Sequence, residues 1–330
     1  MATIKDVAEM AGCSIATVSR AFSAPEKLRP ETLVKIEHAA KCCNYAPNAI
    51  ARAMVLQRNK TIAFVIHEKH YPIMQNPFYA AISEAVQQEA EKNGYTVYIV
   101  SSKTFANSAM SMFANRSVDG VILAGQCEQM LLDVLQRQSA PVVLVNSQSV
   151  HDDIPSVTAD DYDGSLQAVE HLIHRGHTRI GLLGGNLYPY VASARQNAFI
   201  DTMAKYDLPI LPRYVRSCDA NISSALSMAT EMFSMENRPT ALFCMNDVLA
   251  VGAIKAALRL QLHIPEDLAI VGYDDSNICQ VIEPELTSVS VDTHRMGRES
   301  VNALIAKING EQPGHIHLCL KTELIERQSS

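Results

Sequence analysis

The chain has 330 residues, enough for two or three compact units each with a core of its own. Apolar residues make up 48% of it and run through its whole length, which excludes a disordered chain, and no apolar run reaches the roughly 18 residues of a bilayer span. The net charge of −7 is unevenly divided: residues 1–60 carry nine Lys/Arg against five acids and the rest 19 against 30, so only the basic head is suited to a polyanion.

The opening MATIKDVAEMAG has no basic-then-apolar leader, so a cytoplasmic location is expected. Thr3 is an N-cap for a helix over IKDVAEMA with Ile4, Val7, Ala8 and Ala11 on one face. Gly12 supplies a tight turn, and Ser14 caps a second helix, IATVSRAF. Two short helices joined by a glycine turn form a helix-turn-helix pattern. A third helix begins at Pro30 and runs through ETLVKIEHAAKCC, with Leu33, Ile36, Ala39 and Ala40 as its buried stripe. The eight cysteines show no CxxC spacing, and Cys42-Cys43 reads as a pair of small helix residues rather than a redox or metal site.

In a helix-turn-helix the start of the second helix enters the major groove. That places Ile15, Ala16 and Arg20 toward base edges and Ser14, Thr17 and Ser19 nearer phosphates. Arg20 is able to fork onto guanine O6 and N7. The competing reading makes Ile15 a core residue and Arg20 a solvated charge, although Val18 already serves the core on the opposite face. The next segment, PNAIARAMVLQ, is apolar on one side, flanked by Arg52 and Arg58, and too short to hold a helix alone in water.

From Lys60 the pattern changes to strands alternating with helices. TIAFVI, TVYIVS, VDGVILAG and APVVLVN form one set; TRIGLLGG, TALFCMN and LAIVGYDD form a second beginning near Ser156. Such alternation predicts parallel sheets with helices on both faces, and two sets side by side predict two lobes with a ligand cleft between them.

The stretch IKDVAEMAGCSIATVSRAF, then Asn44-Tyr45-Ala46-Pro47-Asn48 and Ala49-Ile50-Ala51-Arg52, resembles the head and hinge of the lactose/galactose-repressor family, and the likeness continues over nearly the whole chain. The resemblance implies a small all-α helix-turn-helix head (1–46) and a hinge helix and linker (47–59). A two-lobed α/β body of the periplasmic-binding-protein type (60–330) would follow. It places lobe 1 at about 60–158 and 288–315, and lobe 2 at about 159–287 and 316–330. It implies that Tyr45 and Asn48 join the DNA contacts, and that the hinge helix forms when two copies meet in the minor groove. Met54 stands where the family usually has the wedging leucine, with Leu56 a competing candidate.

For the body, the resemblance aims Arg195 at the hydroxyls or carboxylate of an effector and packs Phe78 and Tyr79 against it. Asp160, Asn246 and Asp274 sit where strands end, the usual ligand position in such sheets, and Asp160 reads equally as the N-cap of the helix that follows. Asp247 reads as the N-cap of the following helix. The family often has a ring where this chain has Ala220, which leaves Tyr188 or Tyr190 to supply one. The stretch SSKTFANSAMSMFANRSVDG is shorter than its family counterpart, so a trimmed outer helix is expected.

No GxGxxG, GxSxG, HExxH or Walker motif is present, and His315-x-His317 is alternation on a strand; no enzyme activity, metal or cofactor is expected. A transport solute-binding protein would need a signal peptide and no basic head. The expectation is a homodimeric repressor of carbohydrate-utilisation genes, released from an operator in double-stranded DNA by a sugar or sugar derivative. The sequence ends at ELIERQSS without a leucine heptad, so a tail-driven tetramer is not expected.

Overall fold

A computed structural model describes residues 2–23, 27–45, 59–70, 73–115, 117–126, 128–148, 153–185, 189–314 and 316–330. The expectations for Asn48, Met54, Leu56, Tyr188 and the hinge helix lie outside the described residues. The head folds as α1 (Ile4–Ala11), α2 (Ile15–Ser23) and α3 (Pro30–Cys42). At its start the Asp6 carboxylate accepts from the Thr3 N–H (2.7 Å) and hydroxyl (3.0 Å), pairing a negative charge with the positive end of α1. Gly12 ends that helix at φ 63°, a left-handed conformation that costs glycine little. Ser14 Oγ then accepts from the Thr17 N–H (3.1 Å) and opens α2 as expected. Val7, Ala8, Val18, Ala21, Ile36, Ala39 and Ala40 close a small separate core.

The body consists of two sheets of six strands. β1 (Thr61–Ile66), β2 (Thr96–Ser101), β3 (Gly120–Ala124), β4 (Val142–Val145), β5 (Ser156–Ala159) and β11 (His317–Leu320) form the first, in the order β11-β5-β4-β3-β1-β2. β6 (Ile180–Gly185), β7 (Val215–Cys218), β8 (Ala241–Cys244), β9 (Ala269–Asp274), β10 (Thr287–Ser290) and β12 (Glu323–Ile325) form the second, in the order β12-β10-β9-β8-β6-β7. All neighbours pair in parallel except β10 with β12. The central strands are covered on both faces, which is why β3, β4 and β8 read as unbroken buried apolar runs rather than alternating ones.

In the first lobe the helices are α4 (Pro77–Lys92), α5 (Ser102–Ala114), α6 (Gln129–Arg137) and α11 (Thr293–Asn309). In the second they are α7 (Asp161–His174), α8 (Pro189–Lys205), α9 (Ile222–Phe233) and α10 (Asp247–Arg259). The outer segment forms α5, a helix of 13 residues capped by Ser101.

The chain crosses between lobes three times, after β5, after β10 and after β11. The last two crossings fall later than the expected 288 and 316. Thr287–Ser290 pairs with β9 and stays in the second sheet; His317–Leu320 pairs with β5 and extends the first. Two hydrogen bonds tie the first and third crossings together: the Asp160 N–H donates to Leu320 O (2.8 Å) and the Thr322 hydroxyl to Asp160 O (3.2 Å).

Candidate functional site

On the head, the start of α2 is open. Ile15 is 45% exposed and Ala16 and Arg20 are also exposed, while Val18 on the opposite face is fully buried. The core role proposed as the alternative for Ile15 therefore belongs to Val18. Thr17 and Ser19 are half-buried beside this face, and the Ser14 hydroxyl is bonded to Thr17 (Oγ to Oγ1, 2.8 Å). Tyr45 is half-buried, its ring 6.0 Å from that of Phe22, and packs against the head core.

In the body, a cleft of ≈ 890 Å³ opens between the lobes where the parallel strands end. Its two walls differ. Lobe 1 contributes Phe78 and Tyr79 from the first turn of α4, held edge to face at 5.2 Å, with His70 against Tyr79 at 5.1 Å. Asn146, at the end of β4, donates to the Tyr79 hydroxyl (3.0 Å) and so fixes the ring.

Lobe 2 contributes a polar wall centred on Arg195, which α8 carries at 3% exposure. Its Nε and Nη2 both reach Asp161 Oδ1 (2.8 and 2.7 Å), Nη1 donates to the Met245 carbonyl, and Nη2 lies 3.5 Å from Asp274 Oδ1. The guanidinium also stacks on the Tyr273 ring at 3.5 Å. Burial by itself would lower the Arg195 pKa, but the carboxylates of Asp161 and Asp274 outweigh it and the arginine is held firmly charged. Burial raises the pKa of Asp161 and, well above the ordinary carboxylate value, that of Asp274; Arg195 offsets part of each shift.

Three asparagines cap helices whose N-termini face the cleft. Asn76 accepts from the Tyr79 N–H (3.3 Å), Asn221 from Ser224 (2.9 Å) and Asn246 from Leu249 (2.9 Å). An asparagine that caps through its carbonyl oxygen keeps its amide NH₂ as a donor. Asn76 and Asn221 were not singled out from the sequence, although an Asn before a helix start, with Pro77 following Asn76, is a readable capping signal.

Of the expected cleft residues, Phe78, Tyr79, Arg195, Asn246 and Asp274 line the cavity and Asp160 does not. Asp160 is the N-cap of α7, accepting from the Asp163 N–H (3.0 Å), and the next carboxylate, Asp161, turns inward to Arg195. Asp247 departs from its expected capping role, which Asn246 fills. It is buried and accepts from the Ser276 N–H (2.7 Å), the Ser276 hydroxyl (2.8 Å) and the Ser288 hydroxyl (2.6 Å). Burial raises its pKa and these bonds counter part of the shift. Tyr190 is 42% exposed and lies outside the lining, whereas Ala220 is in it, so among the described residues the rings of the cleft come from lobe 1.

Known proteins share this arrangement. Residues 3–48 match the family described as "Bacterial regulatory proteins, lacI family", and residues 169–330 match "Periplasmic binding protein-like domain". The chain is 31% identical to the HTH-type transcriptional repressor PurR of Haemophilus influenzae, covering 100% of this chain and 98% of that protein. It is 29% identical to the repressor CytR of Escherichia coli strain K12, covering 100% and 96%. Among solved structures, the transcriptional regulator CelR in complex with cellobiose superposes with a TM-score of 0.76 at 27% identity, covering 100% of both chains. The lac repressor dimer bound to operator and the anti-inducer ONPF superposes with a TM-score of 0.83 at 25% identity, covering 99% and 98%. With a matching head, a matching body and a relative of this identity over its full length, the chain belongs to the lacI family of bacterial regulatory proteins and is a DNA-binding transcriptional repressor, not an enzyme.

Proposed function

We propose that this repressor works in the cytoplasm as a homodimer on a pseudo-palindromic operator, and that a neutral small molecule in the cleft releases it. Two heads double the phosphate and base contacts that one small module offers. A ligand that draws the lobes together changes the spacing of the heads, which couples the two sites.

The observation that carries the ligand class is the pair of unlike walls. A molecule with one flat or apolar ring against Phe78 and Tyr79, and a hydroxylated ring toward Arg195, Asn246 and Asp274, satisfies both. Arg195 is the sole cation among the described cleft-lining residues, and Asp161 and Asp274 already match its charge. A phosphate or carboxylate would meet those acids without a cation of its own. The cavity has the size usual for such ligands, about 300–1,000 Å³. A glycoside or nucleoside fits this description, and the regulated genes would then serve the use of such compounds. The cellobiose held by one structural neighbour supports the sugar reading, and the PurR relatives favour a purine-related ligand as the second.

A thermal-shift panel of cellobiose, ribose, cytidine, adenosine and hypoxanthine, with glucose 6-phosphate and gluconate as anionic controls, tests this. A ligand at a hundredfold excess over its Kd adds about 2.7 kcal/mol of stability. Stabilisation by a neutral compound supports the reading, and stabilisation by the anions alone overturns it. Affinity for DNA chosen by binding-site selection should then fall with the bound compound; a rise would make the compound a corepressor.

A further inference from the structure

The loop that presents Asp274 to the cleft has backbone that residues with a side chain rarely adopt: φ is 106° at Asp274 and 50° at Asp275 in succession. Such backbone persists only where the surroundings over-determine it. Three restraints do so here. The Asp275 N–H donates to Ser288 Oγ (3.1 Å), Ser276 is bonded twice to Asp247 (2.7 and 2.8 Å), and Arg327 Nη2 donates to the Asp275 carboxylate (2.7 Å).

The third restraint comes from outside the cleft. Arg327 is not a lining residue, yet its side chain is only 9% exposed and that of Asp275 16%. Its Nη1 donates to Leu286 O (2.7 Å) and its backbone N–H to Thr287 Oγ1 (2.9 Å), so the guanidinium is a fixed post and not a loose surface charge. Ser329, two residues on, joins the same segment to the strand that ends in Asp274. Its Oγ donates to Ile270 O (2.6 Å), and its carbonyl accepts from the Ile270 N–H (2.7 Å).

We propose that Arg327 is a positioning residue for effector recognition, aiming Asp274 into the cleft by holding its neighbour Asp275 in left-handed backbone. This rests on the cleft being the effector site. Without Arg327 the loop relaxes toward ordinary backbone and the carboxylate of Asp274 leaves the wall it shares with Arg195.

The test uses the full chain with Arg327→Met and Arg327→Lys. Hydrogen exchange of the ligand-free protein should show faster exchange confined to residues 274–277 in the Met variant, partly restored in the Lys variant, whose ammonium still reaches Asp275. Calorimetric titration with cytidine and cellobiose should show the Kd of whichever binds wild type raised about tenfold in the Met variant, while its thermal unfolding stays cooperative. If Arg327→Met does not fold, Asp275→Asn removes the same ion pair with little change of shape and should give the same two results. Unchanged exchange in the loop overturns the proposal, as does exchange raised across the whole of lobe 2, or a loosened loop with unchanged Kd. If neither probe binds wild type, the titration uses whichever neutral compound of the thermal-shift panel does; if none binds, the ligand class proposed above falls and the exchange result alone decides the dependence of the loop on Arg327.

Discussion

Arg195 directs most of its five donors at the protein itself, to Asp161 and Met245, and presents to the cleft a guanidinium edge shared with Asp274. Arg195→Met would leave the buried Asp161 and the half-buried Asp274 without a counter-charge. It should cost about 3–5 kcal/mol in urea unfolding and abolish the ligand-induced shift. Adding Asp161→Asn should return part of the stability and none of the ligand response. On α2, Arg20→Ala should lower affinity for a selected operator by about 1–3 kcal/mol and affinity for random DNA by less. Equal losses in a fluorescence-anisotropy titration would make Arg20 a phosphate contact. Asp274 was readable from its place at the end of a strand, and Arg195 through the family resemblance. The choice between Asp160 and Asp161 was not, because it depends on which of two adjacent carboxylates falls at the N-cap. One residue further along a helix turns the side chain by about 100°.

At the scale of elements, each lobe has one helix pair that meets through a glycine. A Cβ at Gly252 on α10 would lie 2.4 Å from Ala225 Cβ and 2.9 Å from the Ile222 carbonyl of α9; one at Gly297 on α11 would lie 2.6 Å from Ala85 Cβ and 2.8 Å from the Ile82 carbonyl of α4. The contacts are with backbone and short side chains that have no rotamer to give. Either glycine to alanine should therefore destabilise by about 1–3 kcal/mol, although alanine is the better helix former by about 1 kcal/mol. Chemical denaturation of the two variants checks this. Gly252→Ala should also weaken ligand binding, because Ile222 of α9 lines the cleft. The central strands were legible as unbroken Val/Ile/Leu runs. β7, Val-Arg-Ser-Cys, was missed because an edge strand has one open side and tolerates polar and charged residues; β11 was missed as a strand of the first lobe for a related reason, its outer residues being exposed.

For the whole molecule, acidity is the simplest lever. Burial lowers the pKa of His171 and of His177 below the ordinary 6.5. Each ring is also tied down, His171 to Ser330 Oγ (2.9 Å) and His177 to Thr240 Oγ1 (3.1 Å). The folded state therefore favours the neutral rings, and the unfolded chain takes up protons first as pH falls. Stability from these groups is complete above about pH 6.5 and is lost as pH drops from there through their folded values. A melting series from about pH 8 to about pH 5 should show Tm level down to about pH 6.5 and falling below it, and His171→Gln with His177→Gln should flatten the fall. The two-lobed plan was legible from the repeating strand and helix pattern; the crossing points were not, since they are fixed by which edge a late strand joins.

That late joining has a consequence for how the protein is made. The head buries its own small core among residues 7–40 and is able to fold as soon as those residues have left the ribosome. The body is different, because β11 completes one sheet and β12 the other, and both lie within residues 317–325. Until that stretch has been translated, each lobe stands one strand short, with the backbone N–H and C=O groups along β5 and β10 unpaired, the kind of edge that chaperones hold and that neighbouring nascent chains on a polysome aggregate through.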